Sequence, residues 1–257
     1  MSRQDNACGS QARGKSSPLE LFWLAGCAAT QQLLDYEETA GILSAPERAM
    51  TDPFRRAVRV AVRLLLSRHS DAVGTSHHPA RLPIEPSPGG KPTPTMTDLR
   101  FSVSHTQQRA LILISQIGEV GVDLEARQEL KMAPERRDDI LVKATTAGLS
   151  APRKPSTSEE RPKSSVLTKS QEFMQLWPRL EALAKARGDG IGAVLAAIGT
   201  RGAPNSIPAS ALMQGFKLHD IKLEPPFNAA MALPETVTPP TLHDCMAILK
   251  PLLSQHP

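Results

Sequence analysis

The sequence predicts an α+β protein of two lobes, each a small, mainly antiparallel sheet packed with helices. Three observations lead there. Between Leu99 and Glu125 the chain reads as consecutive strands: LRFSVSH alternates, RALILIS is a short apolar run, and VGVDLE follows a Gly118-Glu119 turn. A second strand pair, FKLHDIKL and FNAAMAL, lies near the C-terminus on either side of Pro225-Pro226. Helical patterns precede, separate and follow these two groups.

Taken in order, residues 1–17 are polar, lack an apolar signal region and predict a disordered lead. Residues 18–35 predict a helix. Ser44-Ala45-Pro46-Glu47 is a helix start: Ser44 can cap free amides, Glu47 can reach back, and proline is tolerated in a first turn. From Pro53 to His69 the period is helical, with Val58, Ala61, Val62 and Leu65 on one face and Arg55, Arg59 and Arg63 as a basic stripe beside it. Residues 76–97, rich in Pro and Gly, predict a loop, and the three strands of 99–125 predict an antiparallel meander. Residues 127–145 read as helix. Residues 146–169 combine Pro, Ser and charge with almost no apolar content and predict a mobile surface loop. A helix from Ser170 to Arg187 ends at Gly188, a favourable residue just past a helix end. A helical piece at Ile191–Ile198, the strand pair, and a last helix over 241–250 interrupted by Pro251 complete the chain. The division expected is a lead at 1–17, an N-terminal lobe at 18–126, and a C-terminal lobe at 127–257 carrying the loop 146–169.

Composition narrows the function. The 257 residues are 40% hydrophobic and 22% charged, which excludes a disordered polyelectrolyte. Aromatics are 4%, too few for a single-strand nucleic-acid stacking platform. A net charge of +4 suits an anionic ligand or an acidic partner protein, with no basic block of the kind that forms a nucleic-acid tail. Cys8, Cys27 and Cys245 are odd in number and far apart, with no CxxC pair, so free thiols are expected rather than a zinc knuckle or a disulfide framework. Leu21–Ala29, broken by Gly26, is too short to span a bilayer. The expectation is a soluble, cytoplasmic monomer that engages neither membrane nor nucleic acid.

Chemistry-bearing residues cluster in three places. Asp123-Leu124-Glu125 on a strand would present two carboxylates on one side, about 6–7 Å apart by the strand rise. Like charges at that spacing call for a shared cation or proton, and a hard, oxygen-seeking ion such as Mg²⁺ answers the need. The same pattern also suits a solvated strand end, although Val120 and Val122 argue for a strand that belongs to a core. On the helix WPRLEALAKARGDG, residues Trp177, Glu181 and Lys185 form one ladder, which also fits an ordinary Glu–Lys surface pair above a core tryptophan. Ser104-His105 closes a strand, and Gly89-Gly90-Lys91-Pro92 forms a flexible bend with one cation that lacks the spacing of a Walker loop.

In chain order these elements run GGKP, FSVSH, VGVDLE and WPRLEALAKARGDG. The order resembles the 4′-phosphopantetheinyl transferase superfamily of the two-lobed, surfactin-synthetase-activating type. Its pattern has a Gly-Lys-Pro element, a Phe-[Asn/Ser]-x-Ser-His strand, a Gly-x-Asp-x-Glu strand, and a Trp-x-x-Lys-Glu-Ala-x-x-Lys helix. LSAPERAM with the Arg stripe, and FKLHDIKLEPPFNAAMAL, extend the likeness outward. The resemblance implies pseudo-symmetric lobes with coenzyme A and Mg²⁺ in the cleft between them. It implies transfer of the 4′-phosphopantetheine arm of coenzyme A to a serine of an acidic acyl or peptidyl carrier protein, releasing adenosine 3′,5′-bisphosphate. Asp123, Glu125 and Glu181 are then the metal ligands, with Glu181 also the base for the serine proton. Lys185 contacts the phosphates and steadies charge in the transition state. Arg55, Arg59, Lys91 and His105 are the candidates for the 3′-phosphate, while Ser104, Gly90, Lys91 and Pro92 frame the nucleotide. Leu180 stands where the family most often has Lys, with Arg179 the nearest replacement, and Pro178 lies inside the ladder, where a kink or a fresh helix start is expected. These departures keep a second reading open, a non-catalytic relative that binds coenzyme A or a carrier protein. A third, an unrelated metal-dependent phosphotransferase, leaves FSVSH and Gly-Lys-Pro unexplained.

Overall fold

The structure is a computed structural model and describes residues 17–72, 82–95, 97–126, 132–150, 168–200 and 208–254. The predicted lead apart from residue 17, Cys8, most of the loop 146–169 and parts of the segments 76–97 and 127–145 lie outside the described residues. Strands and helices run β1 (Leu19–Ala25), α1 (Cys27–Ala40), α2 (Ala45–Arg48), α3 (Pro53–Ala72), β2 (Ile84–Pro86), β3 (Pro92–Pro94), β4 (Arg100–Thr106), β5 (Arg109–Ser115) and β6 (Gly121–Ala126). Then follow α4 (Pro134–Thr146), α5 (Lys169–Arg187), α6 (Ile191–Ala197), β7 (Phe216–Ile221), β8 (Phe227–Pro234), β9 (Leu242–Asp244) and α7 (Cys245–Leu253).

The fold is α+β, with small and mainly antiparallel sheets. One has the order β4-β5-β1-β9, parallel only at β1–β9; a second is β6-β8-β7; the third is the β2–β3 ribbon. Alternation along β1 explains how they stack. Phe22 and Leu24 enter a core with α1, α3 and α7, whereas Leu19 and Leu21 enter another with Leu111, Leu113, Val122, Leu124 and Met231. The face of β6-β8-β7 turned away from that second core packs on α5, through Leu218 and Ala232 against Leu180 and Leu183. The result is helices, sheet, sheet, helices, in that order. Truncating a fully buried leucine such as Leu21, Leu111 or Leu183 costs about 2–5 kcal/mol.

Several expectations are corrected. The predicted helix at 18–35 is β1 followed by α1, with Gly26 at φ 92° between them. The meander ends after β5, because β6 leaves to pair with β8 in the other sheet. The predicted loop at 76–97 contains the β2–β3 ribbon, closed by a turn in which Ser87 N donates to Lys91 O. Arg63 leaves the basic stripe: it is buried, its Nη2 lies 2.8 Å from Glu47 Oε2, and its Nη1 donates to Leu82 O. No fresh helix begins at Pro178, since α5 starts at a Thr168–Gln171 capping box and continues through the proline to Gly188. Among the described residues, no helix is long and apolar enough to cross a membrane.

Candidate functional site

The β4–β6 seam positions the polar centre. On β4, Ser102 and Ser104 alternate toward β6: Ser102 Oγ accepts from Val122 N at 3.0 Å, and Ser104 Oγ donates to Asp123 Oδ1 at 2.9 Å. On β6 the face opposite Val122 and Leu124 carries Gly121, Asp123 and Glu125, and α5 lies across it. The approach is so close that a Cβ on Gly121 would collide with the Ala182 carbonyl. One turn of α5 beyond Glu181, Lys185 brings its Nζ 2.7 Å from Asp123 Oδ1 and donates to Val122 O at 3.1 Å.

A cavity of about 370 Å³ opens beside this centre. Its walls include Arg55 and Arg59 from α3, His105 from β4, the Gly89–Pro92 turn, and Glu181 and Lys185 from α5. Gly89 is pressed against the end of α5, where a Cβ would collide with the Gly188 carbonyl. Ser104, Asp123 and Glu125 are not wall residues; Asp123 lies behind Lys185 along the seam, bonded to Ser104.

Electrostatics separate the two ends. At the cationic end, Arg55 is paired with Asp52 at 3.6 Å, and Arg59 has no ion-pair partner among the described residues. Burial, then the nearby Arg55 charge, depress the His105 pKa below the ordinary histidine range. Lys91 turns its ammonium from the open cavity to Glu119, at 2.7 Å, and to Val120 O, and burial lowers its pKa. The cation without an ion-pair partner among the described residues at this end is thus Arg59, with Arg55 and His105 beside it, rather than Lys91.

At the anionic end, burial, then repulsion from Asp123 and Glu181, push the Glu125 pKa up to about 7. Burial and Asp123 raise that of Glu181 as well. Asp123 is 4% exposed, and its Oδ2 is buried without a hydrogen-bond partner. As they stand, no three His, Cys, Asp or Glu side chains among the described residues are gathered closely enough to hold a metal ion; Lys185 takes the Asp123 oxygen instead. The donor chemistry nonetheless fits a hard divalent cation. Three carboxylates within electrostatic reach, two of them disfavoured as anions and one with an orphaned oxygen, share an unmet need for positive charge.

The remaining sequence candidates have structural employment. Leu180 is fully buried in the α5 core, so a lysine there would have to run its stem through apolar packing. Arg179 does not replace it at the site: it is 5% exposed, donates to Leu149 O and pairs with Asp220 at 2.7 Å. Trp177 stacks on Phe173 with ring centroids 5.6 Å apart. Sequence reading passed over Ser102 and took Gly89 only as part of a flexible bend. The alternate-residue serine pair in FSVSH was the available signal for the first; the contact of Gly89 with Gly188 had none.

No model of a known protein family matches the chain. Among curated proteins, the chain is 30% identical to one from Synechocystis sp. named "Putative 4'-phosphopantetheinyl transferase". The match covers 58% of this chain and 58% of that protein, so the chain spans less than two thirds of the relative's length. The similarity supports the superfamily resemblance drawn from the four motifs.

Proposed function

We propose that the chain is a 4′-phosphopantetheinyl transferase of the holo-acyl-carrier-protein synthase type. It moves the 4′-phosphopantetheine arm of coenzyme A to a serine hydroxyl of a carrier protein with Mg²⁺ and releases adenosine 3′,5′-bisphosphate. One observation carries the reading: a single cavity has Arg55, Arg59 and His105 at one end and Glu181 with Lys185 at the other, above two further acids. That polarity matches a nucleotide with a terminal phosphate at one end and a diphosphate to be broken at the other.

Arg55, Arg59 and His105 bind the 3′-phosphate. Burial and the Arg55 charge make the charged form of His105 costly, and an arriving anion offsets that cost. The Gly90–Pro92 turn borders the nucleotide. Asp123, Glu125 and Glu181 hold Mg²⁺, which when bound offsets the diphosphate charge and the charge growing on the leaving group. Glu181, its pKa raised by burial and by Asp123, takes the proton from the carrier serine. The serine oxygen forms a bond to the phosphorus bearing the pantetheine arm, and the bond from that phosphorus to the bridging oxygen breaks. Lys185 exchanges Asp123 for the diphosphate oxygens, so its charge follows the negative charge to the leaving group. The basic balance of the chain steers an acidic carrier, chiefly through the association rate.

The test is mass spectrometry of apo carrier proteins incubated with the protein, coenzyme A and Mg²⁺. A gain of the phosphopantetheine mass on the carrier serine, with release of adenosine 3′,5′-bisphosphate, is expected. The Lys185–Asp123 bond keeps the binding-only relative as the second reading. Tight coenzyme A binding with no mass gain on any carrier would favour it.

A further inference from the structure

The antiparallel register of β6 and β8 sets Asn228 directly opposite Glu125. Directly opposed residues project to the same face with Cβ atoms about 4.5–5.5 Å apart. Asn228 therefore stands on the face that carries Asp123 and Glu125, beneath α5. Its amide Nδ2 is buried and has no acceptor. A buried amide without a partner is destabilising, and its cross-strand neighbour is a carboxylate that lacks any hydrogen bond among the described residues. Donor and acceptor belong to directly opposed residues of the ladder, and neither has a hydrogen-bond partner among the described residues.

We propose that Asn228 is a positioning residue for the cation site: its amide donates to the Glu125 carboxylate when the divalent cation is held, and so fixes that carboxylate as a ligand. Carboxylates that bind metals are held in turn by hydrogen bonds, and losing such a partner typically weakens metal affinity by 10–100-fold. In the metal-free protein the amide is a liability; in the loaded protein it is satisfied. The inference rests on the proposed metal role of Glu125 but not on transfer to a carrier.

The opposing signs of those two states supply the test. Calorimetric titration of Mg²⁺ into the intact protein, without carrier, measures affinity for wild type, Asn228→Ala and Asn228→Leu. Thermal melts in EDTA measure metal-free stability. Mg²⁺ affinity should fall about tenfold in both variants. The near-isosteric Asn228→Leu should melt at or above the wild-type temperature without metal, because an orphaned amide has been removed. A side chain that merely supports the sheet gives the reverse, a lower melting temperature and unchanged affinity, and that result overturns the proposal. A wild-type protein that takes up no Mg²⁺ overturns it together with the metal assignment. Mg²⁺ binding that depends on Asn228 in a protein that transfers nothing upholds the proposal and removes the transferase reading.

Discussion

Lys185 Nζ lies 2.7 Å from Asp123 Oδ1, an ion pair that joins the last turn of α5 to the middle of β6. The aspartate is 5% exposed at its side chain and the lysine 30%, so the pair sits where solvent ends and core begins. Lysine serves as resident counter-ion to a carboxylate that would otherwise be buried alone, a state that costs about 3–5 kcal/mol when a partner is removed.

Asp123→Asn tests that pair. The amide keeps an oxygen for the Ser104 hydroxyl but loses the charge that holds Lys185 and, on the proposed function, Mg²⁺. Transfer measured by mass spectrometry should fall by at least about 100-fold. The melting temperature should change by only a few degrees, since the serine bond is kept. Wild-type turnover would remove Asp123 from the metal site.

His105→Ala separates two ligands that differ by one phosphate. His105 borders the cavity beside Arg55 and Arg59. Calorimetry should show coenzyme A weakened by about tenfold, the loss of one charge-assisted contact, and 3′-dephospho-coenzyme A affected little. Equal losses for both would take the 3′-phosphate away from this histidine.

Gly121→Ala probes the closeness of α5 to β6. The added methyl meets the Ala182 carbonyl, and neither backbone can yield without moving the other. Denaturant unfolding should show a loss of about 1–3 kcal/mol. Activity should fall more than stability requires, because the displaced helix carries Glu181 and Lys185. An alanine variant as stable and active as wild type would show that the two elements sit further apart.

Glu20 predicts a pH dependence away from the site. Its carboxylate, 2.7 Å from Arg68 Nη1 and 2.8 Å from His69 Nε2, is pushed up by burial but pulled further down by these two partners, to about 2. A depressed carboxylate pKa stabilises the fold above the unfolded value near 4.5, and that contribution disappears as pH falls toward 2. Urea midpoints should place Glu20→Gln below wild type at pH 7, with the gap closing between about pH 4.5 and 2. A gap independent of pH would assign the effect to packing.

Much of the fold was legible because local periodicity carried it. β4 and β5 alternate or run apolar, and α5 ends where Gly188 adopts a left-handed conformation. β1 was not legible, because a strand buried on both faces has no alternation and reads like a short helix. The departure of β6 to another sheet was equally hidden, since pairing with β8 is set by packing more than a hundred positions away. Arg63 shows the limit for charges: its spacing matches Arg55 and Arg59, but Glu47 captures it. At the candidate site, residue types that need each other chemically could be named from the motifs. Which ones lie free could not, because Lys91 finds Glu119 and Lys185 finds Asp123 only in three dimensions. Asn228 carried no signal at all, as nothing local ties it to Glu125.

Two serine hydroxyls, on Ser102 and Ser104, tie the strand that bears His105 to the strand that bears Asp123. The span between the phosphate-reading end and the bond-breaking end is therefore gauged by two short side chains rather than by a continuous ladder of main-chain bonds. Exchanging Ser104 for alanine would remove one of these ties and leave the buried Asp123 carboxylate with Lys185 as its remaining partner.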